Sequence, residues 1–432
     1  MLRCSPTVVL LLSISCAAGV DDDASTSTTG GSVPWTTSTG GSEQGGAGGA
    51  PTSGGAGGQL TVGGAGGGGG EGGAPSTTSS GGEGGLGTGG AGGEGGAGGA
   101  PSPTGQAVFV ALGSANVTAG SFTEPAGWIN ETSAITASAR PGVAMRGPDD
   151  AFAMLRTGAA GDLAYMRLDG SGWSAPASVG AGVTTRATPG VAAGASEFVA
   201  VFHGDDFKHY FAAFNVGFNP QAQPVGNPQS FGPAPASIAL DGVNPIIVFA
   251  GDDGNVYDQS RVGGVWQAAA GHGVTGVDET PAIVALDAGA DLLVVFNRTN
   301  TIVSFMTRSG SNWSTPADIA NALTNEPVDI AALPGGRAVL AFRGTNGKAY
   351  ASVYDPGGAP VWSSPAAIDG PGGDTTSTPA VAPGIGGADA ELLYVASGVG
   401  DVRHSRLQGA TWSASVSAGG TGMTAVAAAS AP

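Results

Sequence analysis

Short apolar runs alternate with polar turns along the part of the chain that follows its glycine-rich beginning. The run 292–296 is continuously apolar, which is typical of a strand buried on both faces. The run 255–261 alternates polar and apolar side chains, which is typical of a strand with one buried face. Asp253 and Gly254 stand between two such runs, where a two-residue hairpin turn requires positive φ angles. The pattern therefore predicts an all-β fold of short antiparallel strands.

Tryptophans recur in this region at a nearly constant spacing. The gaps between them are 45, 93, 47, 49 and 50 residues, and the gap of 93 is about twice the others. One repeat has therefore lost its tryptophan. The six tryptophans are Trp128, Trp173, Trp266, Trp313, Trp362 and Trp412.

A proline opens each repeat, directly ahead of an apolar run. Proline is tolerated there because the first residue of a strand need not donate to the hydrogen-bond ladder. Each repeat then has room for four short strands separated by turns. The prolines are Pro141, Pro189, Pro235, Pro281, Pro327 and Pro379.

Repeats of four strands with a period of about 40 to 50 residues are typical of β-propeller blades. Six complete repeats are present, and the two ends of the region supply the strands of a seventh. Joining both ends in one blade removes the free sheet edges that invite aggregation. The sequence therefore predicts a seven-bladed β-propeller of four-stranded blades over 106–432. We expect blades at approximately 139–185, 186–231, 232–277, 278–324, 325–375 and 376–420, and a last one from 421–432 plus 106–138.

The segment 20–105 has a different composition. It is rich in glycine, serine and threonine and almost lacks large apolar side chains. Such a segment buries too little surface on folding to offset the backbone entropy it would lose. We therefore predict a disordered tether ahead of the propeller.

The segment 1–19 predicts export. Arg3 precedes an apolar run that ends in small residues, as in a secretory signal peptide. The residues 12–16 resemble a bacterial lipobox, which predicts lipidation of Cys16. Ordinary cleavage near Ala17 or Ala18 is the alternative. We expect a lipoprotein of the cell envelope or cell surface, or otherwise a secreted protein.

Charge narrows the range of partners. The chain has 33 acidic and 15 basic residues, and no basic residue lies between Arg3 and Arg140. Nucleic acid is therefore not an expected partner. With only two lysines and no basic patch, the chain is expected to contact a membrane only through its lipid anchor. Both cysteines, Cys4 and Cys16, precede the predicted tether, so we expect no thiol chemistry in the propeller.

No motif for catalysis or metal binding stands out. His203 and His209 flank a polar turn, and a hairpin explains them better than a zinc site does. The run 251–255 carries oxygen donors but lacks the later glutamate of a calcium-binding loop. No serine-hydrolase elbow occurs in the propeller region, and no motif selects a pair of carboxylates. We therefore predict no cofactor and no enzyme activity.

Several repeats share an aromatic residue, then arginine, glycine and tryptophan, with serine and often proline following. In this pattern the repeats resemble fucose-binding propeller lectins, both the seven-bladed bacterial and the six-bladed fungal type. The resemblance implies sugar pockets between blades, each with a stacking aromatic ring, an arginine, and a glutamate or glutamine. An apolar sugar face packs on the ring, while the guanidinium donates hydrogen bonds to sugar oxygens. The residues predicted to bind carbohydrate are Arg167, Trp173, Arg261, Trp266, Glu279, Arg308, Trp313, Glu326, Arg406 and Trp412.

The hypothesis we favour is an exported glycan-binding propeller with several weak sites, strengthened by their number. A protein-binding scaffold of the cell envelope is the alternative, and a propeller glycoside hydrolase is the third. A purely structural interpretation of the motif is also open, in which each tryptophan packs between blades and each arginine closes the rim.

Overall fold

Seven antiparallel β-sheets follow one another along the chain. The computed structural model describes residues 105–180, 182–215, 222–226, 234–277, 279–286 and 291–431. The predicted signal segment, Cys16 and the tether up to residue 104 lie outside these residues. We number the sheets as blades I to VII, beginning with the sheet that starts at Gly142.

The strands are numbered in chain order. Strands β1 to β3 belong to blade VII and are Gln106–Gly113, Val117–Thr123 and Gly127–Ser133. Blade I holds β4 to β8, which are Gly142–Gly147, Asp150–Thr157, Asp162–Asp169, Gly172–Trp173 and Ala177–Ser178. Blade II holds β9 to β12, which are Gly190–Ala193, Phe198–His203, His209–Phe214 and Gln223–Pro224.

Blade III holds β13 to β17, which are Ser237–Asp241, Asn244–Ala250, Val256–Val262, Val265–Trp266 and Ala270–Gly271. Blade IV holds β18 to β22, which are Ala282–Leu286, Asp291–Asn297, Ile302–Ser309, Asn312–Trp313 and Ala317–Leu323. Blade V holds β23 to β26, which are Asp329–Leu333, Arg337–Arg343, Ala349–Tyr354 and Ala366–Ala367. Blade VI holds β27 to β31, which are Ala380–Pro383, Ala390–Val395, Val402–Gln408, Thr411–Trp412 and Val416–Gly419. Strand β32, Met423–Ala431, returns to blade VII.

Each blade is an up-and-down sheet whose first strand is innermost. In blades I, III, IV and VI the outermost strand is divided into two pieces, which pair separately with the third strand. The seven innermost strands contact one another in a closed ring, and β32 contacts both β27 and β4. In blade VII, β32 pairs with β1 from Gln106 and Ala431 to Gly113 and Met423. The predicted seven-bladed propeller, closed by strands from both ends of the region, is confirmed.

The apolar core is distributed between the blades. Seven clusters of buried side chains occur among the described residues, and each contains residues of two neighbouring blades. Every blade is therefore packed on both faces, which explains the continuous apolar runs of the second strands, such as Leu292 to Phe296.

Antiparallel strands give the ring two faces. We call one end of the ring the front face. It carries the turns from first to second strand and from third to fourth strand of each blade. The back face carries the turns from second to third strand and the prolines that precede the first strands.

In the part of the chain that the structure describes, no helix has the length and apolar character of a membrane span.

One arginine crosses the axis of the ring. Arg140 of blade I donates from Nε to the carbonyl oxygen of Val426 in blade VII, at 2.8 Å. Its Nη2 lies 2.8 Å from Asp329 Oδ2 in blade V. These contacts cross the seam where the two ends of the propeller meet. A cavity of about 380 Å³ surrounds them, lined by the beginnings of the innermost strands.

Candidate functional site

The tryptophans lie in the clefts between blades, at the outer edge of the front face. Each pairs in register with a residue near the end of the third strand of its own blade, as Arg261 does with Trp266 and Arg308 with Trp313. In blades I and VI a leucine takes the place of this arginine. Leu168 pairs with Trp173, and Leu407 pairs with Trp412. Paired residues lie on one face of a sheet, and here that face is turned towards the preceding blade.

The four predicted arginines fall into two sets. Arg261 and Arg308 are the residues paired with tryptophan, so each shares a cleft with its tryptophan. Arg167 and Arg406 lie one position earlier, next to the paired leucines. Successive strand residues point to opposite faces, so both are turned towards the following blade. The structure therefore brings together two of the four predicted Arg–Trp pairs and separates the other two.

The cleft between blades II and III contains the first of these pairs. The guanidinium carbon of Arg261 lies 4.8 Å from the ring centre of Phe211, a residue of blade II. Trp266 contacts the same ring edge-on at 5.5 Å. Arg261 Nη2 donates to Gln223 Oε1 at 3.5 Å. Arg261 Nε and Trp266 Nε1 are buried and have no hydrogen-bond partner among the described residues.

The cleft between blades III and IV contains the second pair. Arg308 donates from Nη2 to Asp241 Oδ2 at 3.0 Å and from Nε to the carbonyl oxygen of Gly310 at 2.7 Å. Its third nitrogen, Nη1, is buried without a hydrogen-bond partner in the described part of the chain. An unpaired donor on a charged, largely buried side chain is costly. This arginine therefore has unused capacity to donate to a ligand.

Polar groups lie below Trp313 in the same cleft. The ring of His272 is 4.8 Å from the Trp313 ring, and its Nε2 is 2.7 Å from Asp258 Oδ1. Both partners of this pair are largely buried. The cleft thus combines an aromatic ring, a guanidinium and carboxylate oxygens.

Arg406 belongs to a different arrangement, in the cleft between blades VI and VII. Its Nε lies 3.1 Å from Oε2 of Glu391, whose side chain is fully buried, and its Nη1 donates to Glu124. The guanidinium carbon lies 5.5 Å from the ring centre of Phe122. Burial opposes the charge of Arg406, but Glu391 and Glu124 outweigh it, so the pKa of the guanidinium is raised.

The network extends inward from Glu391. His404 Nε2 lies 2.7 Å from Glu391 Oε2, and the indole N–H of Trp128 donates to His404 Nδ1 at 3.2 Å. Because Nδ1 accepts, the imidazole proton is on Nε2 and is donated to the carboxylate. An arginine, a glutamate and a tryptophan are present here too, but the arginine binds the glutamate and the tryptophan binds His404. Glu391 is not among the predicted site residues, although an acid within an apolar strand is a signal that the sequence offers.

Arg167 lies in the cleft between blades I and II, away from Trp173. It is 3.8 Å from Asp150, which is also bound at 2.6 Å by Arg146. Trp173 is 8% exposed and packs in the apolar cluster of blades VII and I. Trp412 packs against the apolar cluster of blades V and VI. For these two tryptophans, the interpretation as packing residues fits the structure.

The two predicted glutamates lie at the opposite end of the ring from the arginines. Glu279 and Glu326 each precede the proline ahead of a first strand, at the back face. Glu326 accepts from Arg343 Nη1 at 3.4 Å and lines the axial cavity. The structure does not bring either glutamate to an Arg–Trp pair. Gln223 and Asp241 provide the acceptor oxygens that the resemblance led us to expect from a glutamate or a glutamine.

The acidic turns are hairpins of the back face. Asp253 Oδ1 accepts from the backbone N–H of Asn255 at 3.0 Å, and its Oδ2 accepts from the Tyr257 hydroxyl at 2.9 Å. Asp206 and Tyr210 repeat the contact at 3.0 Å in blade II. Turn chemistry accounts for these oxygens. Among the described residues, no group of three or more His, Cys, Asp or Glu is arranged to hold a metal ion.

Comparison with solved structures supports the architecture. The BP39L lectin from Burkholderia pseudomallei superimposes with a TM-score of 0.59 at 14% identity, covering 73% of this chain and 95% of that one. The chain shares the β-propeller fold of this structure. A protein from Lactobacillus plantarum superimposes on this chain with a TM-score of 0.50 at 12% identity, over 75% of this chain and 98% of that one. The fucose-specific lectin from Aleuria aurantia has a TM-score of 0.48 at 13% identity, over 65% and 97% of the two chains. No protein-family model and no curated protein matches the chain.

Proposed function

We propose that this protein is a carbohydrate-binding propeller that takes glycans in the clefts between blades II and III and between blades III and IV. The observation that carries the proposal is the Arg–Trp pair found in both clefts. In each, buried guanidinium N–H groups lack a partner among the described residues. A ligand rich in hydroxyl oxygens would satisfy these donors.

The chemistry of the clefts supports a sugar rather than a flat or fully apolar ligand. Tryptophan offers a surface for the C–H face of a pyranose ring, and arginine donates in a fixed fork to ring and hydroxyl oxygens. The carboxylate of Asp241 can accept from sugar hydroxyls. Two neighbouring sites on one ring also favour branched or clustered glycans, since linked sites raise the effective affinity. The lectin name of the Burkholderia pseudomallei structure agrees with this proposal.

A glycan array tests the proposal. The full-length chain, its Arg308→Ala variant and its Arg261→Ala variant are screened under identical conditions. We expect saturable binding to a defined set of glycans. Either substitution should weaken the affinity of its own cleft about tenfold or more, because a charge-assisted hydrogen bond contributes about 1.5 to 3 kcal/mol.

Arg337→Ala is the matched control. This arginine also makes an ion pair across a blade boundary, with Asp389 at 3.4 Å, but it is not paired with a tryptophan. The Arg337→Ala variant should bind glycans as the parent chain does. A blank array with a folded parent chain would exclude the proposal.

We also infer export and lipid anchoring through residues 1–19 and Cys16, with 20–105 as a spacer that carries the propeller away from the envelope. The lipobox-like residues 12–16 and the glycine-rich composition support this inference. Mass spectrometry of the mature N-terminus, beside a Cys16→Ser variant, tests it. A mature chain that lacks a lipid-modified N-terminal cysteine would exclude the anchor.

A protein-binding scaffold is the second candidate, favoured by exposed apolar side chains on blade III. Val243 is 87% exposed, Val262 52% and Val265 65%, and all three lie at the front face. This candidate predicts a protein partner whose binding is lost in a Val243→Ser and Val265→Ser double variant.

A further inference from the structure

We propose that the back-face end of the cleft between blades IV and V binds a neutral, hydroxyl-rich ring, such as an unsubstituted hexose unit. A cavity of about 350 Å³ lies there. Pockets for small molecules have volumes of about 300 to 1,000 Å³. This site lies in a different cleft from the two Arg–Trp pairs and at the opposite face of the ring.

Blade V supplies an aromatic wall of fixed orientation. The rings of Phe342 and Tyr350 are stacked, with centres 5.5 Å apart and an interplanar angle of 13°. The Tyr350 hydroxyl accepts from Asn346 Nδ2 at 2.9 Å. A Cβ at Gly344 would lie 2.7 Å from Tyr350 Cε2, so the ring rests directly on the turn backbone. The ring is therefore held before any ligand arrives.

Blade IV supplies the opposite wall through an unusually long outer strand. The second outer piece has two residues in blades I and III, whereas β22 runs for seven, from Ala317 to Leu323. The backbone N–H of Thr345 donates to the Leu323 carbonyl at 3.2 Å, which joins the two walls. Leu323 is 43% exposed, and Asn321 has a φ of +63°. An exposed leucine and a strained asparagine at one pocket mouth fit a ligand contact.

The lining carries no formal charge. Its side chains include the amides of Asn321 and Asn346, the hydroxyls of Thr345 and Ser364, and no carboxylate, ammonium, guanidinium or imidazole. Amides and hydroxyls donate to and accept from neutral hydroxyl groups equally well, whereas a charged ligand would find no counter-charge. The apolar surface for the C–H face comes from Leu323, Pro365 and Tyr350.

Blade V differs from its neighbours at one decisive residue. Blades II and III also stack a phenylalanine on a tyrosine, with centres 5.7 and 5.6 Å apart. Their tyrosine hydroxyls are held by carboxylates, from Asp206 and Asp253, where blade V has Asn346. Among these three turns, blade V alone therefore presents a neutral group.

The experiment uses the full-length chain carrying both Arg261→Ala and Arg308→Ala, so that the two Arg–Trp clefts do not contribute. Methyl glycosides of glucose, galactose and mannose are titrated by calorimetry and by saturation-transfer NMR. We expect saturable binding of at least one glycoside at one site per chain. Adding Leu323→Trp, which fills the mouth, should weaken this binding at least tenfold. Val399→Trp, at an exposed valine of blade VI, is the control and should change it less than twofold.

Asn321→Gly is the second variant, because glycine adopts a φ of +63° without strain and the fold is preserved. It should weaken binding about threefold to tenfold by removing one amide. Absence of binding to all three glycosides would overturn the proposal. So would binding that neither Leu323→Trp nor Asn321→Gly changes. The two Arg–Trp clefts are tested separately, by the glycan array with the parent chain. Either proposal can therefore fail without the other.

Discussion

At the scale of single residues, the distance from an arginine to the next tryptophan decides which cleft the arginine enters. Arg261 and Arg308 stand five residues before their tryptophans, whereas Arg167 and Arg406 stand six before theirs. In a hairpin, one residue of shift turns a side chain to the other face of the sheet. The sequence motif grouped all four arginines together because it allowed a variable number of residues between the arginine and the tryptophan. The spacing was the signal that could have separated them.

His209 gives a prediction at this scale. It is fully buried, and its Nε2 is 3.2 Å from the carbonyl oxygen of Ala234. Burial lowers the pKa of this imidazole from its ordinary 6.5 to about 4. The unfolded chain therefore binds more protons between these values, so the free energy of unfolding falls as the pH drops from about 6.5 to about 4. We expect a loss of roughly 3 kcal/mol from this residue.

Urea unfolding of the parent and a His209→Asn variant at several values between about pH 7 and about pH 4.5 measures this loss. Only the slope with pH is compared, since the substitution also changes packing. Equal slopes in the two proteins would refute the assignment to His209.

At the scale of strands and blades, the fold was predictable because its signals repeat. Pro281 and the other prolines precede innermost strands, and the apolar run at 292–296 is a second strand buried on both faces. The pairing of β32 with β1 followed from counting blades. The partners of the site residues differ from blade to blade, so the repeat pattern could not predict them. Glu391 occurs in one blade, and Gln223 reaches Arg261 from a different blade.

Arg406 and Arg167 allow a matched comparison at this scale, since both precede the residue paired with a tryptophan. Arg406→Ala leaves the fully buried Glu391 without its guanidinium and should cost about 3 to 5 kcal/mol. The Arg167 side chain is 35% exposed, so its ion pair should contribute less than about 1 kcal/mol. Denaturant unfolding of both variants measures the difference. Similar losses would contradict the contrast between the two clefts.

At the scale of the whole molecule, the closed ring depends on the pairing of the two ends of the propeller region in one sheet. Strand β32 supplies the innermost strand of blade VII, and Arg140 binds across the seam to blades V and VII. Without β32, the edge of β1 and the apolar faces of its neighbours are open.

Deletion of residues 421–432 should therefore abolish the cooperative folding of the propeller and cause aggregation. Gel filtration and circular dichroism measure this outcome. Ser430→Ala is the control, because it removes one hydrogen bond, to the carbonyl oxygen of Pro383 at 2.6 Å, and should cost about 1 kcal/mol. A soluble, cooperatively folding deletion variant would show that the ring does not need this strand.

The proposed function requires that glycans bind where an arginine and a tryptophan share a cleft. The most direct test is a calorimetric count of sites per chain, using a glycan selected on the array. Single Arg261→Ala, Arg308→Ala and Arg167→Ala variants are compared with the parent. We predict that each of the first two loses one site and that Arg167→Ala loses none. Loss of a site in Arg167→Ala, or an unchanged count in the other two variants, would exclude binding at the Arg–Trp pairs.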